Sequence, residues 1–212
     1  MSRVLHLDIE TIPFKEITQD DIEVPGNLKK AETIAVYIET KGLEETIKKH
    51  SVDLLRSRVL CIGAALDNEE PVCFYDADSE LTTLTLFSQW FMEKLTADQR
   101  HLVTFSGFNI KGFDYPILSL RLSKYNLAIK GYVGLDINKY TRLWDLMGIL
   151  TGFRYGAYYS QDAVCEFMGI PGKDDVDGSM VYSLYKQGKH EEIQEYCKRD
   201  VKKVRAIYRM FA

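Results

Sequence analysis

Apolar and acidic positions are interleaved at the start of the chain, where Val4, Leu5, Leu7 and Ile9 surround Asp8 and Glu10. The pattern predicts a strand, and because residues two apart in a strand share a face, Asp8 and Glu10 project to the same side. Residues of about 14–57 are polar, with helix-forming runs such as "KKAETIAVYIETKGLEETIKKH", which predicts a helical insertion. "RVLCIGAAL" and "PVCFYDA" flank the turn-like "DNEE" and read as a hairpin. Leu84, Phe87, Phe91 and Leu95 recur at helical spacing and predict a helix from about Ser79 to Leu95. "HLVTFSGF" follows as a strand, and "YPILSLRLSKY" as a helix with Pro116 in its first turn. The rest of the chain predicts helices at about 140–151, 160–168, 178–187 and 190–211. Early strands followed by alternating strands and helices predict an α/β fold with a sheet of mixed direction, organised as one domain over residues 1–212.

Two carboxylates on one strand face repel each other and are costly to bury, so the first strand implies a cation: a Lys, an Arg or a metal ion. The other reading is a frayed strand end in solvent. Asp-x-Glu recurs at Asp21/Glu23, Asp67/Glu69 and Asp78/Glu80, but only Asp8/Glu10 follows an apolar run. In the last helix, Ile193, Tyr196, Cys197, Asp200, Val201, Val204, Ile207 and Tyr208 define the inward face. Lys198, Arg199, Lys202, Lys203, Arg205 and Arg209 fall on the other side. A carboxylate on a core-facing stripe needs a partner, and Tyr196 stands one turn before Asp200 on the same stripe. The spacing recurs at Tyr132/Asp136 and Tyr158/Asp162, so the apolar context, not the spacing, singles out Tyr196 and Asp200. Asp114 is read either as the cap of the helix that Pro116 opens or as a fourth acid of the same group. Asn109-x-x-x-Phe113-Asp114 occurs once.

Composition narrows the picture. The chain of 212 residues, 46% hydrophobic and 27% charged, is long enough for a full core. Its longest apolar stretch, "VLCIGAAL", is far short of the roughly 20 residues that cross a bilayer. The N-terminus lacks the apolar segment of a signal peptide, so a cytoplasmic protein with no membrane partner is expected. Cys61, Cys73, Cys165 and Cys197 are widely separated, with no C-x-x-C pair and no flanking His at ligand spacing. They are expected to be reduced core cysteines, neither a zinc site nor a disulfide framework. A net charge of −4 does not by itself imply a nucleic-acid partner. Locally, Lys186 to Arg209 carries eight Lys/Arg against four Asp/Glu, read as a solvated helix face or as a phosphate-tracking surface.

Taken in order, Asp8-x-Glu10, Asn109-x-x-x-Phe113-Asp114 and Tyr196-x-x-x-Asp200 resemble the three exonuclease motifs of the DEDD superfamily. The tyrosine puts the resemblance in the DEDDy branch; five residues before Asp200, where the DEDDh branch has His, this chain has Glu195. "GFNIKGFDYPILSLRL" looks most like the proofreading exonuclease domains of family B DNA polymerases. "MGIPGKDDVDGSMVYSLYKQG" and "EIQEYCKRDVKKV" are similar to the stand-alone bacterial proteins related to them. The resemblance spans residues of about 4–211. It implies a ribonuclease H-like fold, with a mixed sheet of about five strands flanked by helices. It also implies a metal-dependent 3′–5′ exonuclease in which Asp8, Glu10, Asp114 and Asp200 hold two Mg²⁺ or Mn²⁺ ions, hard cations that prefer oxygen ligands. In that scheme Asp8 bridges both ions, Glu10 and Asp200 complete the site that activates water, and Asp114 holds the second ion through water. Tyr196 orients the attacking water.

Several further residues suit the substrate. Phe108, Asn109 and Phe113 could contact terminal nucleotides, although Phe113 also suits the core. "FRYGAYYS" supplies Arg154, Tyr155, Tyr158 and Tyr159, whose rings could stack on unpaired bases. Lys173 in "IPGKDD" is read as a phosphate contact or as a solvated loop lysine. The expected partner is single-stranded nucleic acid, DNA ahead of RNA. The alternatives are an RNA 3′-end trimming enzyme and a catalytically silent nucleic-acid-binding module of the same fold. The insertion at 14–57 follows directly from the catalytic strand and is expected to cover the site.

Overall fold

The computed structural model describes residues 3–133, 142–171 and 176–212. Asp136 and Lys173 lie outside the described residues. The chain opens with β1 (Val4–Pro13), longer than the apolar run alone predicts. Between β1 and the next strand come α1 (Ala31–Tyr37), a π-helical turn at Ile38–Gly42, then α2 (Leu43–Val52). The hydroxyl of Thr11 on β1 donates to the Ser51 carbonyl and ties α2 to the sheet.

The expected hairpin is β2 (Ser57–Leu66) and β3 (Val72–Tyr75). Then come α3 (Glu80–Lys94), α4 (Ala97–Leu102), β4 (Thr104–Gly107) and α5 (Asp114–Lys124). β5 (Arg142–Asp145), α6 (Leu146–Thr151), α7 (Gln161–Met168), α8 (Val181–Lys186) and α9 (His190–Tyr208) complete the described elements. The sheet runs β3-β2-β1-β4-β5. β1/β2 and β2/β3 are antiparallel, whereas β1/β4 and β4/β5 are parallel, giving a mixed five-stranded α/β sheet.

β1 and β2 read as near-continuous apolar runs because helices cover both faces of the sheet. On one face Leu5, Leu7 and Phe105 pack with Phe87 and Phe91 of α3 and Leu118 of α5. On the other, Ile12, Leu60 and Cys61 pack with Val181 and Leu184 of α8 and Ile193 and Cys197 of α9. A buried ion pair crosses the first layer: Arg121 of α5 meets Glu80 of α3 at 3.0 Å. Glu80 also accepts the Val59 N–H at 2.7 Å and the Tyr125 hydroxyl at 2.8 Å, so its charge is well satisfied.

Two expectations are corrected. The helix expected from 140 begins at Leu146, and Arg142–Asp145 forms β5, which at four residues is too short to display a strand's alternation. His101 and Leu102, expected in a strand, close α4. That helix opens on a capping box in which Thr96 and Gln99 satisfy each other's backbone N–H groups, a signature present in the sequence as T-x-x-Q. No helix among the described residues is long and apolar enough to cross a membrane. No disulfide joins cysteines among the described residues.

Candidate active site

β1 delivers Asp8 and Glu10 to the face covered by α9. In the antiparallel ladder Asp8 lies opposite Gly63 and Glu10 opposite Cys61, and the register shifts immediately after Glu10. Such irregularities re-aim side chains locally. Gly63 sets how closely α9 can approach. A Cβ there would stand 2.8 Å from both Cys197 Sγ and Val201 Cγ2, so only a glycine lets the helix settle at this depth. The close seating brings Asp200 to the paired acids of β1. Carboxylate oxygens of Asp8, Glu10 and Asp200 all lie within 4.8 Å of one another.

Asp114 reaches the same cleft from the start of α5. It is the first residue of α5 and not its cap, which is Phe113. Its carboxylate accepts the backbone N–H of Ile9 at 3.0 Å, which fixes it beside β1 between the levels of Asp8 and Glu10. It stands outside the tight group of three. The turn before it explains the Asn-x-x-x-Phe-Asp pattern. Asn109 has φ +59°, a left-handed conformation that Asn tolerates better than most residues. Its carbonyl accepts the N–H groups of Gly112 and Phe113 at 2.9 and 3.1 Å, and a Cβ at Gly112 would collide with the Asn109 side chain.

A cleft of about 470 Å³ joins these groups: Asp8, Glu10, Asp114, Tyr196 and Asp200 line it together with Phe108, Asn109, Phe113 and Tyr158. Thus the structure gathers the four acids, Tyr196, Phe108, Asn109, Phe113 and Tyr158 at one cleft, whereas Arg154, Tyr155 and Tyr159 are not among its lining residues and Lys173 lies outside the described residues. Phe113 also packs on the main core and Phe108 on the Leu146/Val164/Ile207 cluster, so both rings are shared between cleft and core. Tyr158 is exposed at the rim, whereas Tyr159 lines a separate apolar hollow of about 440 Å³ with Leu150 and Phe167.

Burial and mutual repulsion raise the affinity of the cluster for protons. The carboxyls of Asp8 and Glu10 are pushed well above the usual range, first by burial and then by the neighbouring acids. Burial raises Asp114 to about 7 against the opposing Ile9 N–H. Asp200 is raised by burial but pulled back by Lys203. The Tyr196 phenol, buried and facing Glu10, Asp200 and Asp8, is held far above its ordinary value and keeps its proton. A group of buried, crowded oxygen donors of this kind is suited to a hard divalent cation.

The sequence reading missed several groups here. Asp162 and Asp177 also line the cleft. Lys203, expected on the outer face of α9, is 3% exposed and bonds Asp200 at 2.9 Å and Asp162 at 2.8 Å. Its place three residues after Asp200 was the available signal, since i,i+3 positions are neighbours on a helix. The basic stretch is largely spoken for within the chain. Lys186 pairs with Glu16, Lys189 with Glu192, Lys198 with Glu195 and Lys202 with Glu70, and Arg209 bonds Asn68. This pattern favours the solvated-face reading over a phosphate-tracking surface.

Residues 54–211 match a family described as a predicted 3′–5′ exonuclease related to the exonuclease domain of PolB. The matched stretch begins after β1, whose acids join the site through the sheet. No curated protein matches the chain. In three dimensions it is similar to the family B DNA polymerase of the hyperthermophilic archaeon Pyrobaculum calidifontis, with a TM-score of 0.62 and 17% identity. The similarity covers 99% of this chain and 24% of the polymerase, so the chain spans about a quarter of that protein's length. At this identity the likeness establishes the fold, the ribonuclease H-like arrangement of the PolB exonuclease. Because the family match covers most of the chain, the protein belongs to the family of predicted 3′–5′ exonucleases related to the exonuclease domain of PolB.

Proposed function

We propose that this protein is a metal-dependent 3′–5′ exonuclease of DEDDy type that removes nucleotides from single-stranded ends, DNA ahead of RNA. The observation that carries this reading is the charge of the cleft. Among its described lining residues are six carboxylates, Asp8, Glu10, Asp114, Asp162, Asp177 and Asp200, and no Lys or Arg. A phosphodiester cannot approach such a surface unless divalent cations intervene. The donor set fits Mg²⁺ or Mn²⁺: all oxygen, with three carboxylates already within 4.8 Å.

Asp8, Glu10 and Asp200 would hold the ions, with Asp114 contributing from its anchor on the Ile9 N–H. Bound divalent ions supply positive charge at the scissile phosphate and lower the pKa of water, the two demands of phosphodiester hydrolysis. Tyr196 keeps its proton and donates a hydrogen bond to Asp200, so its hydroxyl oxygen orients the attacking water by accepting a hydrogen bond and does not act as a base. Lys203 holds Asp200 from behind. Asn109, Phe108 and Phe113 border the path of the terminal nucleotides, and the exposed Tyr158 offers a face for stacking on an unpaired base. Val52 of α2 reaches the cleft, which supports a covering role for the 14–57 insertion.

The test is digestion of a 5′-labelled single-stranded DNA oligomer with Mg²⁺ or Mn²⁺, alongside a matched RNA, an EDTA control and Asp8→Ala. A ladder shortening from the 3′ end, lost on chelation and in the variant, is the expected result. Cleavage of RNA alone would move the substrate, and inactivity on both would overturn the reading.

A further inference from the structure

We propose that Cys61, Cys73 and Cys197 form a second metal site, a three-sulfur site for one thiophilic closed-shell ion of the Zn²⁺ or Cu⁺ type. The proposal reverses the expectation drawn from cysteine spacing, and it does not depend on the hydrolase reading. The three residues come from β2, β3 and α9, and their sulfur atoms all lie within 4.8 Å of one another. Each thiol is a hydrogen-bond neighbour of the other two.

Three features of the fold bring them together. Cys61 lies opposite Tyr75, and Gly63 opposite Cys73, so the two strand cysteines are diagonal neighbours on the sheet face that α9 covers. Gly63 separates them in the ladder, and its missing side chain leaves the space that Cys197 Sγ fills from above. Cys61 and Cys197 are fully buried among Leu60, Ile193 and Tyr196, while Cys73 on the edge strand is only partly covered and leaves the group an opening to solvent.

The geometry is close to what a single ion requires. With Zn–S bonds of about 2.3 Å, the sulfurs of a three-sulfur site stand about 4 Å apart, within the 4.8 Å span of these three. Each thiol releases its proton to solvent as its metal–sulfur bond forms, and water at the Cys73 opening serves as a fourth ligand to Zn²⁺. Sulfur donors select against Mg²⁺ and Mn²⁺, so this site and the carboxylate cluster sort ions by hardness. They are nonetheless in contact, because Cys197 Sγ lies 3.6 Å from the Asp8 carbonyl oxygen and 3.7 Å from its Oδ2.

The test uses the reduced, chelator-treated full chain, titrated anaerobically with Co²⁺ as a spectroscopic stand-in for Zn²⁺, then with Zn²⁺ and with Cu⁺. The expected result is one more ion per chain in the wild type than in Cys73→Ser by native mass spectrometry, and an intense cobalt–thiolate charge-transfer band that Zn²⁺ abolishes by displacement. Cys73→Ser, on a partly exposed edge strand, should lose the band. Cys165→Ser, in a different cluster, and Asp200→Asn, which weakens only the carboxylate site, should keep it. Zn²⁺ should also protect Cys73 from alkylation in the wild type, a readout that stands whether or not the serine variant folds. Absence of a band together with no ion bound beyond those that Cys73→Ser takes up, or a band that survives Cys73→Ser, would overturn the proposal. So would a disulfide between two of these cysteines formed in air despite saturating Zn²⁺.

Discussion

Gly63 lies directly opposite Asp8 in the β1–β2 ladder, and the space where its side chain would be is filled by Cys197 and Val201 of α9. One missing methyl group therefore sets the distance between the strand that carries Asp8 and Glu10 and the helix that carries Tyr196 and Asp200. Gly63→Ala should force α9 outward, at a cost of about 1–3 kcal/mol for an overpacked core. Urea denaturation would measure that loss. Exonuclease activity should fall further than the population of folded protein accounts for, since the carboxylates separate even in molecules that remain folded.

Tyr196→Phe removes a hydrogen bond to the buried carboxylate cluster and leaves the ring in place. A bond to a charged group contributes about 1.5–3 kcal/mol, so kcat should drop roughly 10- to 100-fold. Because the phenol is held far above its ordinary pKa, the pH–rate profile of the variant should keep the wild-type shape. Loss of a limb of that profile would mean that Tyr196 titrates during turnover.

Lys203 is the buried counter-charge of Asp200 and Asp162. Lys203→Met leaves Asp200 without its partner, and removal of one member of a buried pair costs about 3–5 kcal/mol. Metal should restore part of this by occupying the cluster, so Mn²⁺ should raise the Tm of the variant more than that of the wild type. Equal shifts in calorimetry would show that Lys203 does not share the electrostatics of the site.

His6, buried on β1 against the edge of Tyr208, has its pKa lowered to about 4, first by burial and then by Arg205. Its folded value lies below the unfolded one of about 6.5, so the unfolded chain binds the extra proton between these limits. The stability His6 contributes is complete above pH about 6.5 and is lost as pH falls toward about 4. Compared with His6→Gln in chemical denaturation, the wild type should lose up to about 3 kcal/mol over that window, at no more than roughly 1.4 kcal/mol per pH unit.

Where the sequence misled, the reason lies in the range of the forces involved. β5 is four residues of "RLWD" running straight into a helix, and its strand state depends on hydrogen bonds to β4 that no local pattern records. Lys203 sits near the boundary of the two faces of α9, where a long side chain can turn either way. It turns inward because Asp162, 41 residues earlier in the chain, meets it there together with Asp200. The acids of the Lys186–Arg209 surroundings, Glu16 and Glu70 among them, come from β1's flank and the β2–β3 turn, so the balance of charge in one segment overstated its free positive surface.

What the sequence determined by itself is what short-range physics encodes. Alternation made β1 a strand with Asp8 and Glu10 on one face, helical periodicity put Tyr196 and Asp200 on one stripe, and three ordered motifs indicated the family and its fold. Tertiary structure alone decided which groups meet. The three carboxylates close to within 4.8 Å, and Cys61, Cys73 and Cys197 close to the same span, through one glycine contact between a helix and a sheet. Closing distances over gaps of more than a hundred residues requires the whole core to be packed, and that information is spread over the entire chain.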